Sequence, residues 1–341
     1  MKNILILTIM LLPLCSQAAT EGWKNCDDEG TANCEYQISN GVLTIRPQNS
    51  SQPGSIPDYQ RDCTMERYHA CTTPSPWRWE EDASSIKTVN IESGINYVGT
   101  YAFEDMEFTT VNLPKTGLNS IGKGAFMENF ALTYADLPNG LDNIGVSAFA
   151  NTGLKNVVLP DGTEDNPLVI GDQAFRGGGV GGSERCVESL VVGEHTILSE
   201  KIFRYGNDSR VDLDSLQMYC AESNTQTCLD VLENCGATQA QIDKILNTYT
   251  QDSETGFYQT ADGRIFATEN LMSYGAACTN AENCRDILDA ANSNKPFKVG
   301  SKIYNSLADF AANHYIIRRI YTVKEANEVS GKKNKVMIRY K

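Results

Sequence analysis

Catalysis needs an acid, a base or a nucleophile held within hydrogen-bond reach of its partner, and this 341-residue sequence offers few such sets. Its three histidines, His69, His195 and His314, fall in separate regions, none beside a recognisable partner motif. They read as surface residues. Gly177, Gly179 and Gly182 match G-x-G-x-x-G, yet dinucleotide binding requires a strand before the glycines and a helix after them. Here they follow Phe175 and precede Cys186 and a strand pattern, so they read as a loop insertion. No G-x-S-x-G, H-E-x-x-H or phosphate-loop motif occurs. The runs Asp27-Asp28-Glu29 and Asp161 to Asp165 carry the oxygen ligands that calcium takes, but read as solvated turns. No catalytic residue, cofactor or metal is expected.

Cysteine is the remaining reactive type, with eleven copies, and its meaning depends on compartment. Met1-Lys2-Asn3 is a short basic start, Ile4 to Leu14 is apolar, and Ser16-Gln17-Ala18 places small residues where a signal peptidase cuts. The pattern predicts a secretory signal cleaved near Ala18. A membrane helix needs about 20 apolar residues, more than this run supplies, and no later run is long enough to span. Cys15 would suit a lipid anchor, but Leu14 is bulky where lipoprotein signals carry a small residue. Cleavage leaves ten cysteines, an even set that reads as disulfides. Cys26 with Cys34, Cys63 with Cys71, and Cys278 with Cys284 are spaced for local closure. Cys228 and Cys235 lie about 10 Å apart along a helix, so each is expected to pair elsewhere; Cys186 and Cys220 have no obvious choice. No C-x-x-C occurs, and no cysteine pair has a histidine at zinc spacing.

The net charge of −14 and pI near 4.7 argue against a general nucleic-acid binder, whose footprint is basic. The charge is also divided. Residues 296 to 341 hold ten Lys or Arg against three Asp or Glu, whereas residues 19 to 295 carry −22. A basic end of this kind suits an anionic envelope surface, a polysaccharide or an acidic partner, or a solvated sheet with lysines along its edges.

Two motifs recur in phase and must position whatever the chain presents. Ala-Phe appears at 102–103, 125–126, 148–149 and 174–175, with Ile202-Phe203 as a degenerate copy, at spacings of 23, 23, 26 and 28. Val98-Gly99, Ile121-Gly122, Ile144-Gly145 and Ile170-Gly171 precede these pairs. Between them runs apolar-x-x-apolar-x-apolar, as in Phe108, Val111, Leu113 closed by Pro114, and again at Ile86, Leu132, Leu154, Val187 and, less regularly, Leu213. Self-similarity at this period means a solenoid whose units cover one another's open faces. The last apolar positions alternate with polar ones, predicting a short strand with one face inward. Proline ends it by withholding a ladder donor.

The signature Ile-Gly-x-x-Ala-Phe followed by Leu-x-x-Val-x-Leu-Pro resembles the BspA-like leucine-rich repeats of bacterial secreted and surface proteins, over residues 86 to about 220. Trp23, Cys26, Cys34, Gly41 to Ile45 and Pro76-Trp77 are similar to the segment that leads such arrays. The resemblance implies an extracellular array that works by contact, in adhesion or host-matrix binding, with no catalytic residues. The expected fold is a leucine-rich-repeat solenoid of short parallel β-strands, with an N-terminal disulfide-stapled β-hairpin cap and a small C-terminal α+β module.

The flanks refine this division. Asn40-Gly41 between Glu35 to Ser39 and Val42 to Arg46 is a strong hairpin signal, read as a cap on the first repeat's apolar edge. Residues 19–85 thus form cap and loop, with Trp77 and Trp79 expected to pack under the cap. After Cys220 the period stops. Residues 221–295 read as a connector with a capping box at Thr238 to Gln241 and a hairpin around Asp262-Gly263. Residues 296–341 read strand, helix, strand, helix, strand, with Lys302-Ile303-Tyr304 and Arg319-Ile320-Tyr321 opening two similar units.

Alternation identifies the outward strand positions as Thr88, Asn90, Thr110, Asn112, Tyr134, Asp136, Asn156, Val158, Ser189 and Val191. Mostly small and polar, they suit a flat face making many weak contacts with a protein or glycan. The expected function is non-catalytic recognition or adhesion at the cell surface, in the periplasm or outside the cell. The alternative is a structural or assembly component docked to the envelope through the basic C-terminal module; a secreted hydrolase or inhibitor is the least supported reading.

Overall fold

The computed structural model describes residues 22–60, 75–177, 186–206, 208–293 and 295–313. The signal segment, Cys63, Cys71, His69, His314, Gly179, Gly182 and the last expected strand–helix–strand unit lie outside the described residues.

The repeats build two strand ladders. The front ladder begins at Lys24–Asn25 and the antiparallel hairpin Glu35–Ser39 and Val42–Arg46, which joins Thr88–Ile91 and then Thr110–Asn112 in parallel. It resumes at Asn156–Leu159, Ser189–Val192 and Gln217–Ala221. Val89, Ile91, Val157 and Leu159 point inward and are buried, as the alternation requires. The back ladder runs Gly54–Ser55, Ile95–Val98, Ser120–Ile121, Asn143–Ile144, Leu168–Ile170 and Thr196–Leu198, all parallel, its four inner strands ending at the Val-Gly and Ile-Gly motifs. The glycines let adjacent turns close. A Cβ on Gly122, Gly145 or Gly171 would lie 2.7 Å from a backbone nitrogen of the preceding turn, inside the 3.0 Å that real side chains respect.

Between the ladders the Ala-Phe segments bond to the next turn, Phe103 N–H donating to the Ala125 carbonyl and Phe126 N–H to Ala148, both at 2.8 Å. Their rings form one column. Trp77, Phe103, Phe126, Phe149 and Phe175 stack at centroid spacings of 5.3, 5.3, 5.1 and 5.6 Å, with interplanar angles of 18° or less. These spacings follow the separation of neighbouring strands, about 4.8 Å. Trp77 ends the column, its indole N–H donating to the Ala102 carbonyl at 3.0 Å and its ring edge-on to Tyr36 and Tyr59. Trp79 does not share that role; it is 59% exposed.

Three features depart from the sequence reading. Residues 132–137 form no strand, so the front ladder is interrupted between Thr110–Asn112 and Asn156–Leu159. Ala135 stands there in the place that other repeats give to valine or leucine, and alanine both fills less of the interior and favours strands less. Second, the ladder runs past Cys220. Helices α1 (Thr225–Asn234) and α2 (Gln239–Ile245) lengthen one turn, after which Leu246–Gln251 pairs in parallel with Gln217–Ala221. The capping box is present, with Gln241 Oε1 accepting from Thr238 N–H at 3.0 Å. Tyr258–Thr260 and Ile265–Phe266 then add as antiparallel strands. Third, one apolar core spans both sides of the boundary expected at residue 295. It joins Phe257, Leu271, Tyr274 and Ile287 to Phe297, Tyr304 and Phe310. Around it lie α3 (Glu269–Ser273), α4 (Ala281–Asn292), the hairpin Phe297–Val299 with Lys302–Tyr304, and α5 (Leu307–Asn313). This lobe folds back over the front ladder.

Disulfides join Cys26 to Cys34 and Cys278 to Cys284, as the spacing suggested, and Cys220 to Cys228, a pair the sequence left open. Cys186 and Cys235 are buried thiols, each raised above its ordinary pKa by burial.

Candidate recognition face

The front ladder's outward side chains fall into two environments. Thr88 lies opposite Thr110 and Asn90 opposite Asn112, giving two short rows on adjacent strands. These four residues are exposed or half-exposed. Within the amide row, Asn112 Nδ2 donates to Asn90 Oδ1 at 2.6 Å. Thr44, opposite Asn90 on the hairpin, extends that row toward the N-terminus.

Further along, the lobe covers the face. Ser189 and Val191, expected outward and open, are fully buried. Helix α3 packs on strands Asn156–Leu159 and Ser189–Val192. Val191 sits in a cluster with Tyr219, Ala221, Tyr249, Phe266 and Met272, and Val158 packs against it. The reason is hydrophobic: one of the two outward rows becomes apolar at Val158, Val191 and Tyr219, and covering it removes that surface from water. Sequence reasoning treated all ten positions alike, although the change from Thr and Asn to Val and Tyr marks where cover begins. Asn156 stays half-exposed at the border.

Tyr134 and Asp136 lie between these regions, half-buried, where the lobe faces the solenoid. Asp136 is ion-paired with Lys115. Burial drives the Tyr134 hydroxyl far above the usual tyrosine range, aided by Asp136 and Tyr274 nearby, so it stays protonated. A cavity of about 400 Å³ opens here, with Asn112, Lys115, Tyr134 and Asp136 on the solenoid wall and Lys295, Phe297, Ser306 and Leu307 opposite. A second cavity of about 440 Å³ shares Lys115, Asp136, Ala291 and Leu307 with the first and continues past Gln251, Tyr258, Glu269 and Asn270. The two form one cleft between the front face and the lobe. It has no signature in the sequence, because its walls come from segments far apart in the chain, Val111 to Asp136 on one side and Ala290 to Leu307 on the other.

One ionisable contact closes its deep end. The Tyr249 hydroxyl lies 2.9 Å from Glu269 Oε1, and the Glu269 carboxyl is pushed up to about 8, first by burial and then by the Asp161 carboxylate. Asp161 is raised too, by burial, against the lowering effect of the Glu194 N–H that it accepts at 2.7 Å.

A separate cavity of about 370 Å³ lies between Thr196–Leu198 of the back ladder and α1, lined by Glu164, His195, Glu200 and Asp230. His195 shares this lining with carboxylates and with the threonines Thr163, Thr196 and Thr227, and no serine, cysteine or lysine is among the described lining residues. Among the described residues no group of three or more His, Cys, Asp or Glu is placed to hold a metal ion, and no helix is long and apolar enough to cross a membrane.

Residues 81–178 match the family described as the BspA type leucine rich repeat region, in six copies. Among solved structures, a leucine-rich repeat protein from Eubacterium ventriosum is similar at 17% identity and a TM-score of 0.40, over 68% of this chain and 47% of that one. A leucine-rich repeat protein from Bacteroides ovatus is similar at 18% identity and a TM-score of 0.28, over 55% and 54% of the two chains. The leucine-rich repeat protein of T. pallidum is similar at 18% identity and a TM-score of 0.29, over 61% and 80%. The chain thus spans about half the length of the first of these. No curated protein matches it.

Proposed function

We propose, from the premise that residues 81–178 are BspA-type leucine-rich repeats, that this protein is a non-catalytic recognition or adhesion protein acting outside the cytoplasm. Its ligand site is the open part of the front face together with the cleft beneath the lobe. The observation that carries this reading is the cleft itself. The open Thr and Asn rows run into a concave site walled by Tyr134, Asn112 and Phe297, where recognition gains more than on a flat face. The hairpin with the Cys26–Cys34 disulfide serves as the cap of the array, shielding the first repeat's apolar edge as solenoid ends require. The secretory signal fits the three disulfides among the described residues, since disulfides form and persist in oxidising compartments.

A second reading, docking to an anionic envelope surface through the basic C-terminus, is favoured by charge. Residues 314 to 341 hold eight Lys or Arg against two Glu. Deleting them releases a docked protein from the cell and leaves a recognition protein's ligand binding intact.

The first reading is tested by immobilising the mature protein under non-reducing conditions and capturing matrix or envelope components. Binding that is lost in Thr110→Arg and Asn112→Arg supports the front face; unchanged binding in both moves the site elsewhere.

A further inference from the structure

We infer that the cleft between the front face and the lobe takes a neutral oligosaccharide, a proposal that rests on the front face being the recognition site.

The argument starts from the donors and acceptors around the cleft. Asn112, Gln251, Asn270 and Asn292 line it, supplying amides from both walls. An amide carries an acceptor oxygen beside two N–H donors, the combination that pairs with adjacent sugar hydroxyls, themselves donor and acceptor at once. The Asn90–Asn112 contact uses one N–H and one oxygen lone pair, so both amides keep capacity for a ligand lying along the row.

Formal charge is largely cancelled. Lys115 and Asp136 neutralise each other. Glu269, held near 8, is mostly the neutral acid at pH 7 and both donates and accepts. Among the described lining residues, Lys295 at the exposed rim is the remaining cation. A phosphate, sulfate or acidic peptide would meet no converging set of cations.

The apolar part of the lining has the complementary character. Tyr134 and Tyr258 lie in the solenoid-side and lobe-side walls, with Phe297 opposite Tyr134. A pyranose presents a C–H face that packs on such rings and a rim of hydroxyls that reaches amides. Each cavity, about 400 and 440 Å³, lies within the range of small-ligand sites, about 300–1,000 Å³. Joined end to end, they suit a short linear chain of sugar rings.

The test is isothermal titration of the full mature chain with a panel of linear neutral gluco-, manno-, galacto- and xylo-oligosaccharides, beside sialylated and sulfated glycans. At least one neutral oligosaccharide is expected to bind, and Asn112→Ala and Tyr134→Ala are each expected to weaken it about tenfold or more. Val169→Ser on the back ladder leaves it unchanged. Should Tyr134→Ala lower the melting temperature, Asn112→Ala, at an exposed position, carries the comparison alone. The inference is overturned if no neutral oligosaccharide binds, if only charged glycans bind, or if Asn112→Ala binds as the wild type does. Protein capture that is lost in Asn112→Arg without any glycan binding overturns the sugar and leaves the recognition face standing. Binding of a protein or glycan that no front-face variant affects contradicts both.

Discussion

Tyr249 and Glu269 join the two halves of the molecule through one oxygen: the tyrosine hydroxyl, on the last parallel strand, lies 2.9 Å from Glu269 Oε1 and 3.1 Å from the Val192 carbonyl oxygen. Glu269 opens α3, whose Met272 covers the outward Val191. The contact therefore sits where the lobe meets the front ladder, and its protonation state affects how firmly the lobe is seated.

A carboxyl near 8 in the folded chain, against an ordinary value of 4.5, binds its proton more tightly folded than unfolded. Its stabilising contribution is complete below about pH 4.5 and is lost as pH rises through 8. Hydrogen exchange of the α3 amides is thus expected to quicken between about pH 5 and 8, beyond the intrinsic pH dependence of exchange. Glu269→Gln should abolish the excess; a wild-type-like excess in that variant would show that Glu269 is not its source.

The ring column makes the solenoid's centre sensitive to a single side chain. Phe126 is stacked between Phe103 and Phe149 and is fully buried. Phe126→Ala should cost about 3–5 kcal/mol, measured as a fall in the denaturant midpoint. A loss below about 1 kcal/mol would mean that the column does not hold adjacent turns together.

Backbone approach is a separate constraint. A methyl on Gly145 would lie 2.7 Å from Lys123 N and 2.8 Å from the Gly122 carbonyl carbon. Gly145→Ala is expected to destabilise by more than about 1 kcal/mol despite alanine's lower cost in chain entropy. Gly140→Ala has open space around it and tests the different effect of a positive φ of 89°.

The array itself was legible because its physics is local. Two apolar positions two apart and a buried Phe leave a trace along the array, from Val89 and Ile91 to Leu190 and Val192, with a closing proline at Pro114, Pro138 and Pro160. The back ladder was less visible. Its strands are as short as Ser120–Ile121 and Asn143–Ile144, too short to alternate, so Ile-Gly was recognisable as a motif without being readable as a strand. The strand Leu246–Gln251 was missed because two helices separate it from its partner and break the period. The cleft lay beyond reach for a different reason. Its walls depend on how α4 and the hairpin at 297–304 settle against Asn112 and Tyr134, a long-range relationship with no periodic signature.

Cysteine pairing can be read without disturbing the fold. Peptide mapping of non-reduced protein should recover Cys26 linked to Cys34, Cys220 to Cys228, and Cys278 to Cys284. A Cys220 linked elsewhere would detach α1 from the strand it follows and require a different turn there.

Two arginine substitutions on opposite faces decide whether the face beside the lobe is the recognition site. Asn112→Arg alters the cleft's solenoid wall, and Ile197→Arg alters an outward back-ladder residue that is 52% exposed. Measured against the same captured ligand, binding should fall at least about tenfold in Asn112→Arg and stay within about twofold of wild type in Ile197→Arg, with both proteins equally folded by circular dichroism. The reverse pattern, full binding in Asn112→Arg and loss in Ile197→Arg, would contradict the account and place recognition on the back ladder.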